Sequence, residues 1–286
     1  MKRQIQLLLI DPQNDFCDLP ESYRPLNPLS HLAVAPALPV AGAHADMQRA
    51  AAFVRDAGHS ISEITVTLDS HHRLDIAHPS FWQTAAGAAV APFTPITASQ
   101  LRAGEFSPRN AAALPRAQAY LDELELRGRY TLMVWPVHCQ IGSWGHNIHA
   151  DLLAVCSAWE EQEQKPVHML NKGANPWTEH YSAVQAEVPD ASDPDTQLNH
   201  KLITQLGQAE ILFIAGEASS HCVKATTEHI VAHLPSAKAG LPSKIALLTD
   251  CMSPVVGFDA QHAAFFADMQ SRGVRLLSSR EALEQL

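Results

Sequence analysis

Cys222 lies where an apolar run, Ile211 to Ala215, gives way to small and polar residues and then to a helix-like segment beginning near Ser220. A thiol at that handover faces unpaired N–H groups and the positive end of a helix dipole, which favour its thiolate form. Three other apolar runs end in residues suited to chemistry: Ile5–Ile10 at Asp11, Ile61–Leu68 at Asp69, and Val167–Leu170 at Asn171-Lys172. Cysteine hydrolysis needs a proton acceptor, a group that stabilises negative charge, and donors for an oxyanion. Asp11 can take the thiol proton. Lys172 can stabilise the anionic site and set the relative pKa values of Asp11 and Cys222. The backbone N–H groups of Ala218 and Cys222 can hold the oxyanion. His221 adjoins the cysteine, but neighbours at a helix start point in different directions, which makes it a poor base. Cys139, beside a candidate metal ligand, is a rival nucleophile.

A second constellation has the types and spacing of metal ligands. Asp69 and His71 are two apart, on the same side of an extended segment. His78 follows after a loop in His78-Pro79-Ser80-Phe81, and His138 comes from a remote stretch, Trp135-Pro136-Val137-His138-Cys139. One carboxylate with two or three imidazoles suits a divalent metal, Zn²⁺ first and Fe²⁺ or Mn²⁺ next, with positions left for water or substrate. His72 and the pair His146 and His149, one turn apart on an expected helix, compete as ligands. No carboxylate at a strand end accompanies them, and they are read as solvent-facing.

These residues need a scaffold that gathers four distant segments. Strands are expected at Ile5–Ile10, Ile61–Leu68, Tyr130–Val134, Val167–Leu170, Ile211–Ala215, Lys244–Thr249 and Val274–Leu277. Helices are expected at about Ala43–Ala57, Trp144–Glu161, Asn199–Leu206, Ser220–Leu234 and Asp259–Ser271. The alternation implies an α/β fold, a mostly parallel sheet between two helical layers. Ligands in such folds bind beyond the carboxyl ends of the strands. Two segments read as insertions into one domain spanning residues 1–286. One, at about 84–129, is rich in Ala and Pro, with a helix expected at Arg116–Leu126; the other, at about 189–207, opens on an Asp/Pro-rich loop.

Composition narrows the class. With 286 residues, 46% of them hydrophobic, the chain can bury a large core. Its 20 basic and 30 acidic residues give a formal charge of −10, which argues against nucleic acid or an anionic membrane as partner. The five cysteines show no C-x-x-C spacing, so neither a zinc ribbon nor a disulfide framework is expected, and the odd count suits a reducing cytoplasm. The apolar run after Lys2-Arg3 is too short for a signal peptide and ends at Asp11, and no run is long enough to span a bilayer. No G-x-G-x-x-G follows the first strand, which argues against a dinucleotide site.

Several blocks stand in a familiar order: Asp11-Pro12-Gln13-Asn14-Asp15-Phe16; Leu38-Pro39-Val40-Ala41-Gly42; Asp69-Ser70-His71 with His78-Pro79-Ser80-Phe81; Trp135-Pro136-Val137-His138-Cys139; Lys172-Gly173 with Tyr181-Ser182-Ala183; and Gly216 through Thr226. Together they resemble the nicotinamidases, within the isochorismatase-like cysteine hydrolases. The Asp, Lys and Cys blocks are common to that superfamily, whereas the D-x-H, H-x-S-F and W-P-x-H-C blocks are specific to nicotinamidases. The resemblance implies a Rossmann-like three-layer sandwich with a six-stranded sheet in the order 3-2-1-4-5-6. It implies a catalytic triad of Asp11, Lys172 and Cys222, an oxyanion hole from Ala218 and Cys222, and a metal site of Asp69, His71, His78 and His138. It further implies that Phe16 and Trp135 sandwich a flat pyridine ring, that Cys139 is structural, and that the Glu217–Ala218 peptide is cis.

The activity implied is hydrolysis of a small-molecule amide, nicotinamide, to nicotinate and ammonia through a cysteine thioester, the metal orienting the ring. Departures from the pattern fall around the pocket rim. Ser219-Ser220-His221 stand where T-D and an aromatic or His are usual, Glu217 takes a position usually apolar, and Gln140–Gly145 replaces G-T-P-G-A. These departures keep open a second reading, the same chemistry on another small amide, carbamoyl or ureido substrate. A third, a non-catalytic metal-binding or interaction protein, would be marked by a thiol whose pKa is not depressed. The inserted segments are expected to cover the pocket or to build the interface of a homo-oligomer.

Overall fold

The computed structural model describes residues 3–234 and 244–286. Among them the elements run β1 (Ile5–Ile10), α1 (Ala43–Ala57), β2 (Glu63–Asp69), β3 (Trp82–Thr84), β4 (Thr94–Ile96), α2 (Ala98–Arg102), β5 (Phe106–Pro108), α3 (Leu114–Arg127), β6 (Leu132–Val134) and α4 (Ala150–Glu163). They continue with β7 (His168–Lys172), α5 (His200–Leu206), β8 (Ile211–Gly216), α6 (Cys222–His233), β9 (Ile245–Leu248), α7 (Asp259–Ser271), β10 (Arg275–Leu277) and α8 (Ser279–Leu283). Six strands form one parallel sheet in the order β7-β2-β1-β8-β9-β10. Numbered within that sheet along the chain, this is the expected 3-2-1-4-5-6.

The central strands β1 and β8 are buried at every residue. Their near-continuous apolar sequences, IQLLLI and ILFIAG, are what a strand covered on both faces requires. Order reverses between them, and at such a switch point the loops diverge to leave a crevice. Register then places the chemistry. Ile10 pairs with Gly216, so Asp11 and the turn after β8 emerge together, and Asp69 pairs with Lys172. Gly216 permits the close approach of β8 to β1: a Cβ there would lie 2.0 Å from the Ile10 carbonyl oxygen, and its φ of 133° is one that side chains rarely adopt.

The 76–134 region builds its own apolar cluster, in which Trp82, Ile96, Leu101, Leu121, Leu124 and Val134 are buried. The expected helix at Arg116–Leu126 runs from Leu114 to Arg127 and stops at Gly128 in the left-handed conformation. The expected strand Tyr130–Val134 shortens to β6 and pairs antiparallel with β4, outside the main sheet.

A larger correction concerns Trp144–Glu161, whose helix begins only at Ala150. Residues 144–149 are held in turns, a bend and a bridge by the loop after β1: the Asn14 side chain donates to the Trp144 carbonyl, the Asn14 N–H to the Asn147 carbonyl, and the His149 N–H to the Pro12 carbonyl. His149 is consequently not solvent-facing. It is fully buried and caps α4 by accepting the Asp151 N–H on Nδ1.

Candidate active site

Lys172 is the hub of the site. Its Nζ lies 2.9 Å from Asp11 Oδ2 and 2.9 Å from Asp69 Oδ1, and it donates to the His180 carbonyl and, at 3.6 Å, to Cys222 Sγ. All four side chains are at most 4% exposed. Buried charges persist only when paired, and here one ammonium faces two carboxylates. Burial alone would strip Lys172 of its proton, but Asp11 and Asp69 hold its pKa well above the usual lysine value. Asp11 is raised, by burial first and by Asp69, against the pull of Lys172 and of the Thr67 hydroxyl, which donates to Asp11 Oδ1 at 2.6 Å. Its other oxygen, Oδ2, accepts no aligned hydrogen bond.

Cys222 opens α6, as expected, but not as a thiolate. Burial pushes the thiol well above its usual pKa, and Asp11 and Asp69 add to this against Lys172. Loss of water on burial outweighs the pull of the helix dipole. Cys222 therefore rests as a thiol with the Asp11 carboxyl close at hand. Among the described residues, the backbone N–H groups of Ala218 and Cys222 are aligned on no protein acceptor. Ala218 has φ 59° and Asp11 φ 48°, both unusual for residues with a Cβ and a form of local strain that collects at functional sites. Every peptide bond among the described residues is trans, so the cis bond expected at Glu217–Ala218 is absent. The left-handed Ala218 turns that loop instead.

Asp69 links this group to the histidines. Its Oδ2 lies 3.0 Å from His71 Nε2 and 3.3 Å from His138 Nε2. His71, His78 and His138 are buried, with one ligand nitrogen from each within 4.8 Å of the others. The outer nitrogens are tied back: His71 Nδ1 to Asp75 at 3.0 Å, His78 Nδ1 to the His72 carbonyl at 3.2 Å, and His138 Nδ1 to the Pro136 carbonyl at 2.8 Å. The ties on His71 and His78 turn their Nε2 atoms into the cluster, where His71 Nε2 meets Asp69 and His78 Nε2 lies 3.3 Å from His138 Nδ1. His78 is pushed down to about 3 by burial and by the other two imidazoles, and stays neutral as a metal ligand must. The donor set fits a divalent cation. His72 and His146 stand outside it; His146 Nε2 meets the Ser70 hydroxyl at 2.8 Å.

A cavity of about 20 Å³, room for about one water, adjoins Cys222. Phe16 and Trp135 both line it, with His138, Tyr181 and His221. Trp135 is held by a hydrogen bond from its indole N–H to the Tyr181 hydroxyl at 3.0 Å. Larger clefts, of about 250 and 220 Å³, flank Trp177, and neither is lined by a cysteine, histidine or lysine. His221 is pushed down to about 3 by burial and Lys224, and its Nδ1 faces the Ser220 hydroxyl at 2.9 Å. Cys139 is fully buried, and burial with Asp69 and Asp15 holds its thiol protonated. It serves the loop: Asp15 accepts its N–H at 2.7 Å, which anchors the segment carrying His138.

Some residues of the site gave no sequence signal. Glu179 lines the cavity with one oxygen unpartnered, and burial, aided by Asp69 and Asp75, pushes it up to about 7. Gln13 clamps Asp69, donating to its carbonyl and accepting its N–H at 2.8 and 2.7 Å. Asp75 braces His71. Only Gln13 sat in a block singled out above.

Comparison of the sequence with protein-family models matches none, and comparison with curated proteins finds no similar sequence. Solved structures are informative. The nicotinamidase/pyrazinamidase of Acinetobacter baumanii superposes with a TM-score of 0.62 at 17% identity, over 98% of this chain and 98% of that one. The yeast nicotinamidase bound to the inhibitor nicotinaldehyde gives 0.58 at 18% identity, over 96% and 100%. The pyrazinamidase of Pyrococcus horikoshii in complex with zinc gives 0.54 at 17%, over 96% and 99%. The chain has the fold of nicotinamidases and isochorismatase-like hydrolases over 96–99% of its length.

Proposed function

We propose that the protein is a metal-dependent cysteine amidohydrolase that converts nicotinamide to nicotinate and ammonia. The observation that carries this reading is the placement of Lys172 between Asp11, Asp69 and Cys222, where Asp69, Cys222 and Ala218 line an aromatic-walled cavity. Asp11 accepts the thiol proton as Sγ attacks the carboxamide carbon. The C–S bond forms, and the carbonyl electron pair moves to oxygen, where the Ala218 and Cys222 N–H groups receive it. Collapse of this adduct breaks the C–N bond, and Asp11 protonates the departing ammonia. A water then attacks the thioester, Asp11 taking its proton; the C–S bond breaks, the thiol is restored and nicotinate leaves. Lys172 keeps Asp11 usable as a base despite its burial. Asp69, His71, His78 and His138 would hold a divalent ion, which would supply Lewis-acid character to orient the ring. Phe16 and Trp135 supply faces for the ring.

The raised thiol meets the mark set for the non-catalytic reading, but the placement of the ion-paired Asp11 and Lys172 beside Cys222 weighs against it, because a structural cysteine needs neither. Activity on another small amide, carbamoyl or ureido compound is the second reading. Glu179 favours it: a carboxyl oxygen free in the cavity can meet a polar N–H that nicotinamide does not carry on its ring. The test is ammonia release from nicotinamide before and after chelation, with Zn²⁺, Fe²⁺ or Mn²⁺ added back. Metal-restored turnover supports the proposal. Inactivity of the metallated protein on nicotinamide, with activity on a ureido or carbamoyl compound, would transfer it to the second reading.

A further inference from the structure

Glu217 is fully buried, and neither of its carboxyl oxygens has a hydrogen-bond partner. It stands between Gly216, the last residue of β8, and Ala218, and its own N–H donates to the Ile10 carbonyl at 2.8 Å. The groups facing its side chain come from three segments: Cys17 and Asp18 after β1, Asp46 on α1, and the backbone at Ser253. Asp18 caps α1 by accepting the N–H groups of Gly42 and His44 at 2.8 Å each. Asp46 is bonded to Ser253 and to the nearby cation, Arg49. His262 of α7 approaches from beyond, on the Ser219 hydroxyl at 2.7 Å. A carboxylate at Glu217 would thus lie dry, beside two acids, with the one arginine already taken. A group so placed keeps its proton.

We propose that Glu217, as the neutral acid, is a positioning residue for the oxyanion hole, and that its ionisation withdraws the Ala218 N–H from the substrate. The N–H groups of Ala218 and Ser253 are the donors near enough to favour a charged Glu217, though neither is aligned on it at rest. Ala218 is also the donor the oxyanion needs. A carboxylate behind that peptide would compete for its N–H and repel the oxyanion at once. The neutral acid does neither. This inference rests on the oxyanion hole proposed above.

Three measurements test it. Glu-Ala occurs twice in the chain, at 217–218 and 281–282, so ¹³C′-Glu/¹⁵N-Ala labelling gives a spectrum with two amide signals, Ala282 serving as reference. The Ala218 signal is expected to move as pH rises in the wild type and to stay in Glu217→Gln. Unfolding supplies the second. The unfolded chain loses the Glu217 proton near pH ~4.3 while the folded one keeps it. Wild-type stability therefore falls as pH rises above that value, and the margin of Glu217→Gln over the wild type should widen. Turnover is the third: the ratio of Glu217→Gln to wild type should climb by about tenfold or more as Glu217 ionises, since one oxyanion donor is worth about 10²–10³ in rate. A motionless Ala218 signal, a flat stability margin or a flat turnover ratio would each overturn the proposal. No turnover by either protein, with Ala218 still titrating, would sink the amidase reading and leave the Glu217–Ala218 coupling supported.

Discussion

Cys222 and Lys172 make different demands on the fold, and two substitutions separate them. Replacing Cys222 by Ala removes the proposed nucleophile and leaves the histidine cluster alone. Turnover should fall by about 10⁴-fold or more, while zinc binding followed by calorimetry stays intact. Retained turnover would point to Cys139 or to a mechanism without a thioester. Lys172→Met, in contrast, leaves Asp11 and Asp69 buried without a cation. Removing one partner of a buried ion pair costs about 3–5 kcal/mol, so urea unfolding should show a loss of that order alongside lost activity. A loss below about 1 kcal/mol would mean that these carboxylates do not depend on the lysine for their charge. A fold that keeps such a cation in place has a use for the acids it serves.

At the scale of elements, strand ends were the legible part of the sequence. Asp11, Asp69 and Lys172 each follow an apolar run long enough to read as a buried strand, and parallel strands deliver their ends to one edge. Residues 144–149 were misread because their helical pattern is local, whereas the bonds that overrule it come from Pro12 and Asn14, far away in sequence. Glu179 was invisible for a related reason: it lies in irregular chain, where no periodicity marks which way a side chain points. His149 bears the consequence of the shortened helix. Burial and the neighbouring His44 push it down to about 4, against about 6.5 in the unfolded chain. A depressed folded value means that the unfolded chain takes up the proton first, so stability is lost as pH falls from about 6.5 towards 4. His149→Asn keeps a capping side chain without the titration. Its unfolding midpoint should fall less than that of the wild type over that interval; equal falls would place the acid sensitivity elsewhere.

Taken as a whole, the molecule carries a formal charge of −10 but is proposed to act on a neutral amide. Long-range attraction then contributes little to capture, and kcat/KM should change by less than about twofold between low and physiological salt. A steep dependence would implicate a charged substrate, against nicotinamide. The 76–134 cluster is separable from the main core, so Leu121→Ala should cost about 2–5 kcal/mol and expose that region first to limited proteolysis, with β1 and β8 still protected from hydrogen exchange.

The small cavity beside Cys222 has a kinetic consequence. With room for about one water, it admits an aromatic ring only after its wall of Phe16, Trp135 and His221 parts. The rate of complex formation should therefore level off at high ligand concentration, at the frequency of that parting, instead of rising linearly with collision number. The same gate slows departure, so an aldehyde trapped on Cys222 would owe much of its tightness to a long residence time. Stopped-flow mixing with pyridine-3-carbaldehyde measures both limbs, and the plateau, divided by the steady-state turnover number, gives how many openings each catalytic cycle uses.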